Sequence, residues 1–252
     1  MDNKLLLPKY TPRFDLSSMK VIGLQVNMMH VSHKLTVMEV ADFMLSKKGD
    51  EWISELKRNI LKWSSLIQKD INVIFEISGL IRSERAINLA EKFRSSFPNE
   101  IEIMINSDNL SYESLLEFIN EFSKEIPRKI KIGLSTKDPF QFDAKTIPSL
   151  VSVFEFKSGQ IAKAKEDIML SAKTREFISE LKLKEVSIVV NDLNSRGDVS
   201  CAILAGGDYG QGYFLSRESV SRTKSTNEIF DPLLYFQFRD KPDRSIGQFI
   251  TV

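Results

Sequence analysis

A single cysteine, two histidines and almost no net charge remove several chemistries before any motif is read. Cys201 alone excludes an intramolecular disulfide and a cysteine-rich zinc site, and it fits a reducing compartment; as a small apolar residue it needs no chemical role. His30 and His33 have no glutamate between them and no third ligand, so they do not read as a zinc centre. The 35 basic and 34 acidic residues give a net charge of +1, which supplies no field to hold a polyanion. Neither nucleic acid nor a membrane surface is therefore expected as a partner. Long apolar runs are missing too. The stretch from Met1 breaks at Pro8 after three leucines, well short of a signal-peptide core, and no segment reaches the roughly 18 apolar residues of a membrane span. The expectation is a cytoplasmic protein.

What is present is ordinary globular material: 42% hydrophobic and 27% charged residues in 252, enough for one sizeable domain with a real core. Short β-rich runs predict strands over Lys20–Val26, Asn72–Ile77, Ile101–Ile105, Lys129–Leu134, Val151–Phe156 and Glu185–Val190. Between them, Trp52, Leu56, Ile60, Trp63 and Ile67 recur at helical spacing behind Asp50, read as an N-cap, and Leu115, Ile119 and Phe122 do the same after Ser111. Alternating strand and helix argues for a parallel sheet with crossover helices. The run Val186-Ser187-Ile188-Val189-Val190 is nearly continuous in β-branched residues, as in a strand covered on both faces. A closed barrel and a doubly wound sheet both satisfy this pattern.

The densest signal lies near the end, where four of the 11 glycines fall within Gly206–Gly212 of Gly206-Gly207-Asp208-Tyr209-Gly210-Gln211-Gly212-Tyr213-Phe214-Leu215-Ser216-Arg217. The run lacks the Lys-Ser/Thr of a phosphate-binding loop and the spacing of a dinucleotide turn, and Ser216 has no nucleophile-elbow context. It reads as a tight turn that lets Tyr213 and Phe214 pack. It also resembles the closing motif of EAL-domain cyclic di-GMP phosphodiesterases, Gly-x-Asp-x-x-Gln-Gly-Tyr-x-x-Ser-Arg-Pro, with only the final Pro replaced, by Glu218. The resemblance spans about Leu7 to Arg217 in scaffold. It implies an α/β fold, a modified (β/α)8 TIM-like barrel with one inverted strand, in a single domain.

Hydrolysis in that family needs two divalent ions held by converging carboxylates, and the resemblance lets each position be checked. Val21-Ile22-Gly23-Leu24-Gln25-Val26-Asn27 resembles the strand carrying Glu-Ala-Leu, so the metal-binding Glu is Gln25 and the Leu is Asn27. A phosphate-binding Arg falls at Met29, and a ligand-contacting Gln falls at Thr11. Glu76 stands for a metal-binding Asn. Glu102 is retained, but the second Glu of its strand is Ile105. Ser135 and Thr136 take the place of paired aspartates, and no adjacent Asp-Asp occurs anywhere in the chain. Glu155 replaces the catalytic Lys within Phe154-Glu155-Phe156-Lys157, where the family's charges are exchanged. Asn191 and Asn194 replace two glutamates, while Gln211 matches the family's Gln. Asp138 and Asp192 lie near these positions and read as hydrated or locally bonded acids.

These substitutions predict no catalytic residues, no metal site and no cofactor. The chain is expected to be an inactive EAL-like barrel over 1–220 with an extension over 221–252, whose aromatic stretch Ile229–Phe238 supplies candidate anchors. Its expected role is a bacterial regulatory protein-interaction module with a protein partner, and homodimerisation is open to it. Cyclic di-GMP binding is not expected. The alternatives are a non-hydrolysing cyclic di-GMP receptor, and then an active phosphodiesterase with rearranged ligands.

Overall fold

The β-branched runs become the staves of a closed barrel. A computed structural model of the protein describes residues 6–30, 35–67, 72–97, 100–108, 110–126, 130–157, 161, 164 and 167–216. Eight strands close in sequence order: β1 (Leu6–Asp15), β2 (Val21–His30), β3 (Asn72–Ser78), β4 (Ile101–Asn106), β5 (Ile130–Thr136), β6 (Val151–Phe156), β7 (Ser187–Val190) and β8 (Tyr209–Gly210). All neighbouring pairs are parallel except those made by β1, which runs antiparallel to both β2 and β8. This is the barrel with one inverted strand that the motifs imply. The aromatic stretch and the boundary at 220 lie outside the described residues.

Six of the staves were legible. β6 matches its expected span, and the others differ from expectation by a few residues at their ends. β1 carries Pro8 and Pro12, which break the strand pattern in its sequence. β8 meets β1 only at Phe14–Gly210 and Asp15–Tyr209, so the prolines sit where β1 has a single ladder partner and a missing N–H is tolerated.

The helices form the outer layer: α1 (Val37–Leu45), α2 (Lys47–Ile67), α3 (Ser83–Ser96), α4 (Tyr112–Glu125), α5 (Ile168–Leu183), α6 (Arg196–Leu204) and the single turn α7 (Tyr213–Ser216). Ser111 caps α4 as its position predicts, accepting from the Ser114 N–H. Asp50 is not an N-cap. α2 begins three residues earlier, against Ser46, and Asp50 lies in its first turn, paired with Lys92 of α3 at 2.8 Å. α1 and α6 start instead with capping boxes, Thr36 with Glu39 and Ser195 with Asp198.

Strand alternation divides the core in two. Val73, Phe75 and Ile77 of β3 face the helices in a large apolar layer, where Phe75 stacks on Phe93 of α3 at 3.8 Å between ring centroids. Ile74, Met104, Val153 and Val189 point the other way and pack with Tyr209 inside the barrel. The even-numbered residues of β3 and β4, and Ser135, Glu155, Asn191 and Gln211 beyond them, thus belong to the interior face.

Candidate functional site

Glu76 is the hub of the barrel's carboxyl end. Its carboxylate accepts from Gln25 Nε2 of β2 at 3.0 Å, Asn106 Nδ2 of β4 at 2.7 Å and Lys157 Nζ just past β6 at 2.9 Å. A strand's two-residue period is what brings these four together: each lies on the inward face, Gln25 midway along β2 and the others at or just past the C-terminal ends of their staves.

A second cluster is more deeply buried. The inversion of β1 sets Arg13, near its end, opposite Gly23 at the beginning of β2. From there its guanidinium donates from Nη1 to Glu102 Oε1 at 2.5 Å, and Nη2 lies 3.6 Å from Glu155 Oε2. Arg13 and Glu155 have essentially no solvent exposure, 1% and 0%. Burial pushes the Glu155 carboxyl up to about 7, against the opposing pull of Arg13. Asn191 Nδ2 donates to the other Glu155 oxygen at 3.3 Å.

The remaining candidate positions divide clearly. Gln25, Glu76, Glu102, Glu155 and Asn191 are joined by these contacts. Ser135 pairs in register with Glu155 and is fully buried, and Gln211 is fully buried next to the β7 end, held there by its backbone N–H on the Val190 carbonyl at 2.9 Å. Thr11 lies opposite Gln25 and Asn27 opposite Lys9, while Met29 pairs with Leu7 by backbone register. Ile105 lies on the outward face in the apolar layer, and Thr136 bonds locally with the Asp138 backbone and Gln141. Asn194 is exposed in the turn before α6, its N–H on Asp198. Asp138 caps a short turn through the Phe140 N–H, and Asp192 sits exposed at φ 59°.

Three residues of the site were missed: Arg13, Asn106 and Lys157. Alternation along β4 signals Asn106, two residues beyond Met104. Arg13 had no signal, because its inward direction follows only once β1 is known to be a strand.

The donor set does not fit the divalent ions implied by the resemblance. Each carboxylate already faces a protein cation: Glu76 faces Lys157, while Glu102 and Glu155 face Arg13. A divalent ion bound there would sit against a fixed positive charge in a low-dielectric interior. Among the described residues, no three His, Cys, Asp or Glu side chains are grouped to hold a metal ion. Nor, among them, is any helix long and apolar enough to cross a membrane.

A closed eight-stranded barrel with its first strand reversed is the architecture of EAL domains, and comparison of the whole fold bears this out. The chain is similar to the EAL enzyme Bd1971 with cAMP and cyclic di-GMP bound, at 16% identity and a TM-score of 0.59 over 85% of this chain. It spans 62% of the length of that protein. It is similar also to the PaMucR phosphodiesterase in complex with cyclic di-GMP, at 16% identity and a TM-score of 0.60, covering 85% of this chain and 92% of that one. The EAL domain of Mycobacterium smegmatis DcpA superposes at 13% identity and a TM-score of 0.61, covering 84% and 92%. No protein-family model and no curated protein matches the sequence.

Proposed function

We propose that this chain is a non-hydrolysing EAL-like domain that acts by binding a protein partner in a bacterial regulatory system. The observation that carries the reading is the pairing of Glu76 with Lys157 and of Glu102 with Arg13, at 2.9 and 2.5 Å. Hydrolysis of a phosphodiester on this scaffold calls for carboxylates free to clamp metal ions and generate hydroxide. Here those oxygens neutralise side chains of the same chain. What is left is a stable barrel whose outer helices are available for docking, and whose mechanism is occupancy of a partner.

A cyclic di-GMP receptor without turnover is the second reading. The buried Gln211, whose side-chain amide has no hydrogen bond among the described residues, favours it, as do the bound ligands of the solved neighbours. Titrating the purified protein with cyclic di-GMP, with and without Mg²⁺ or Mn²⁺, separates these readings. The absence of any binding signal is the expected result. Binding independent of metal selects the receptor, and metal-dependent turnover overturns both.

Gln25→Glu is expected to restore no hydrolysis. The new carboxylate would face Glu76, whose Oε1 stays engaged by Asn106 and Lys157 while Oε2 loses its Gln25 donor, so like charges would oppose each other with no added ligand at Ser135. A single-turnover assay with Mn²⁺ checks this, and measurable product from the single variant would show the site to be misassigned.

A further inference from the structure

Three carboxylates and two cations share the barrel interior, so one negative charge is surplus. Arg13, Glu76, Glu102, Glu155 and Lys157 are the charges, and their contacts are uneven. Arg13 uses Nη1 on Glu102, but its Nε and Nη2 make no hydrogen bond among the described residues despite being buried. Those two nitrogens form one edge of the guanidinium fork, the geometry that takes a carboxylate two-handed. Glu155 Oε2 is also buried without a hydrogen bond among the described residues, and it stands 3.6 Å from Nη2. Two complementary groups thus stop just short of bonding.

Space for the guanidinium to move lies beside Arg13. A cavity of about 160 Å³ opens at the N-terminal ends of the parallel strands, lined by Arg13, Gly23, Asn72, Glu102, Ser187 and Tyr209 among others. Its lining mixes polar and apolar groups and it is large enough for water, which gives the guanidinium room to shift. We propose that Arg13 is a two-position switch: it holds Glu102 throughout, and it closes its free Nε/Nη2 edge on Glu155 when Glu155 gives up its proton.

The groups that act on Glu155 are Arg13 from β1, Glu76 from β3, Lys157 after β6 and Asn191 after β7, with Ser135 of β5 opposite it in register; Lys131, lower on β5, is spent on Glu100 at the surface. Burial dominates, with Glu76 adding to the upward push and Arg13, Lys157 and the Asn191 bond opposing it, so the carboxyl titrates at about 7 against an ordinary 4.5. The movement has a route outward. Asn191 bonds Glu155 and leads into Leu193, whose N–H donates to the Gln211 carbonyl at 3.0 Å and whose carbonyl accepts from Phe214 at 2.9 Å. Closing the Arg13 edge therefore pulls on the glycine-rich turn.

Because the folded chain keeps this proton to a higher pH than the unfolded chain, the associated stability is full below about 4.5 and lost as pH rises through about 7. Urea unfolding from pH 4 to 9, run on the wild-type chain and on Glu155→Gln, isolates that contribution. The wild-type folding constant is expected to fall on the order of a hundredfold relative to the variant across this window. In parallel, the Arg13 Nε–H resonance and the Leu193 and Phe214 amides are expected to shift with a midpoint near 7 in the wild type and to stay fixed in the variant. Superimposable pH profiles, or an Arg13 Nε–H that does not move, overturn the proposal. Should the variant not fold, the wild-type Arg13 resonance decides alone.

Discussion

Replacing Arg13 by methionine is expected to cost about 3–5 kcal/mol of folding stability, the usual penalty for removing one partner of a buried ion pair. In a chain of this length that lowers Tm on the order of 10 °C. The cause is not the lost attraction alone. Glu102 would lose its ion-pair partner and Glu155 its nearest cation, leaving only Lys157 to act on Glu155, and an uncompensated buried carboxylate must either ionise at great cost or take up a proton. The triple variant Arg13→Met, Glu102→Gln, Glu155→Gln is therefore expected to recover most of the loss, since it removes both the cation and the charges it neutralises. Urea unfolding followed by far-UV circular dichroism measures both. A cost below about 1 kcal/mol for Arg13→Met would mean that the guanidinium does not hold the interior together.

Gly212→Ala is expected to be almost as damaging, at about 3 kcal/mol or more, combining backbone strain with overpacking. Gly212 has φ 150°, and a Cβ there would lie against the Leu193 backbone, 2.5 Å from its carbonyl oxygen. That backbone cannot retreat, because the Leu193 N–H is bonded to Gln211 and its carbonyl to Phe214. Gly206→Ala is the control. Its φ of 95° is also strained, but its Cβ would meet only an Ile178 methyl at 3.1 Å, so a loss of about 1–2 kcal/mol is expected. Equal effects in the two variants would show that strain alone, and not the packing of the turn on Leu193, sets the requirement for glycine.

This turn also shows how sequence and structure divide the explanation. The glycine density at Gly206–Gly212 was visible in the sequence as a tight turn, and the structure gives the reason: two glycines at positive φ and a close approach to Leu193. Gln211 is different. Its amide is wholly buried, a fate set by the closing of β8 between β7 and β1. On the outer layer, α3 carries Ala86, Ile87, Ala90 and Phe93 at helical spacing and was readable in principle, as was the capping box that opens α1. Asp50 shows the opposite case. Its residue type suits a cap, but the chain had already turned into helix against Ser46.

By itself the sequence determined that strands alternate with helices, because residues buried on both faces must be apolar in continuous runs and residues on a helix must repeat every three or four. Through the resemblance it also set the expectation of which acids are kept and which are replaced. Only the tertiary structure decided that β1 runs backwards, and that Arg13 meets Glu102 across 89 residues of chain and Lys157 meets Glu76 across 81. Local propensity carries no information about such meetings. They follow from the register in which eight staves close, which fixes the inward face of each strand and so chooses which charges must share one dry interior.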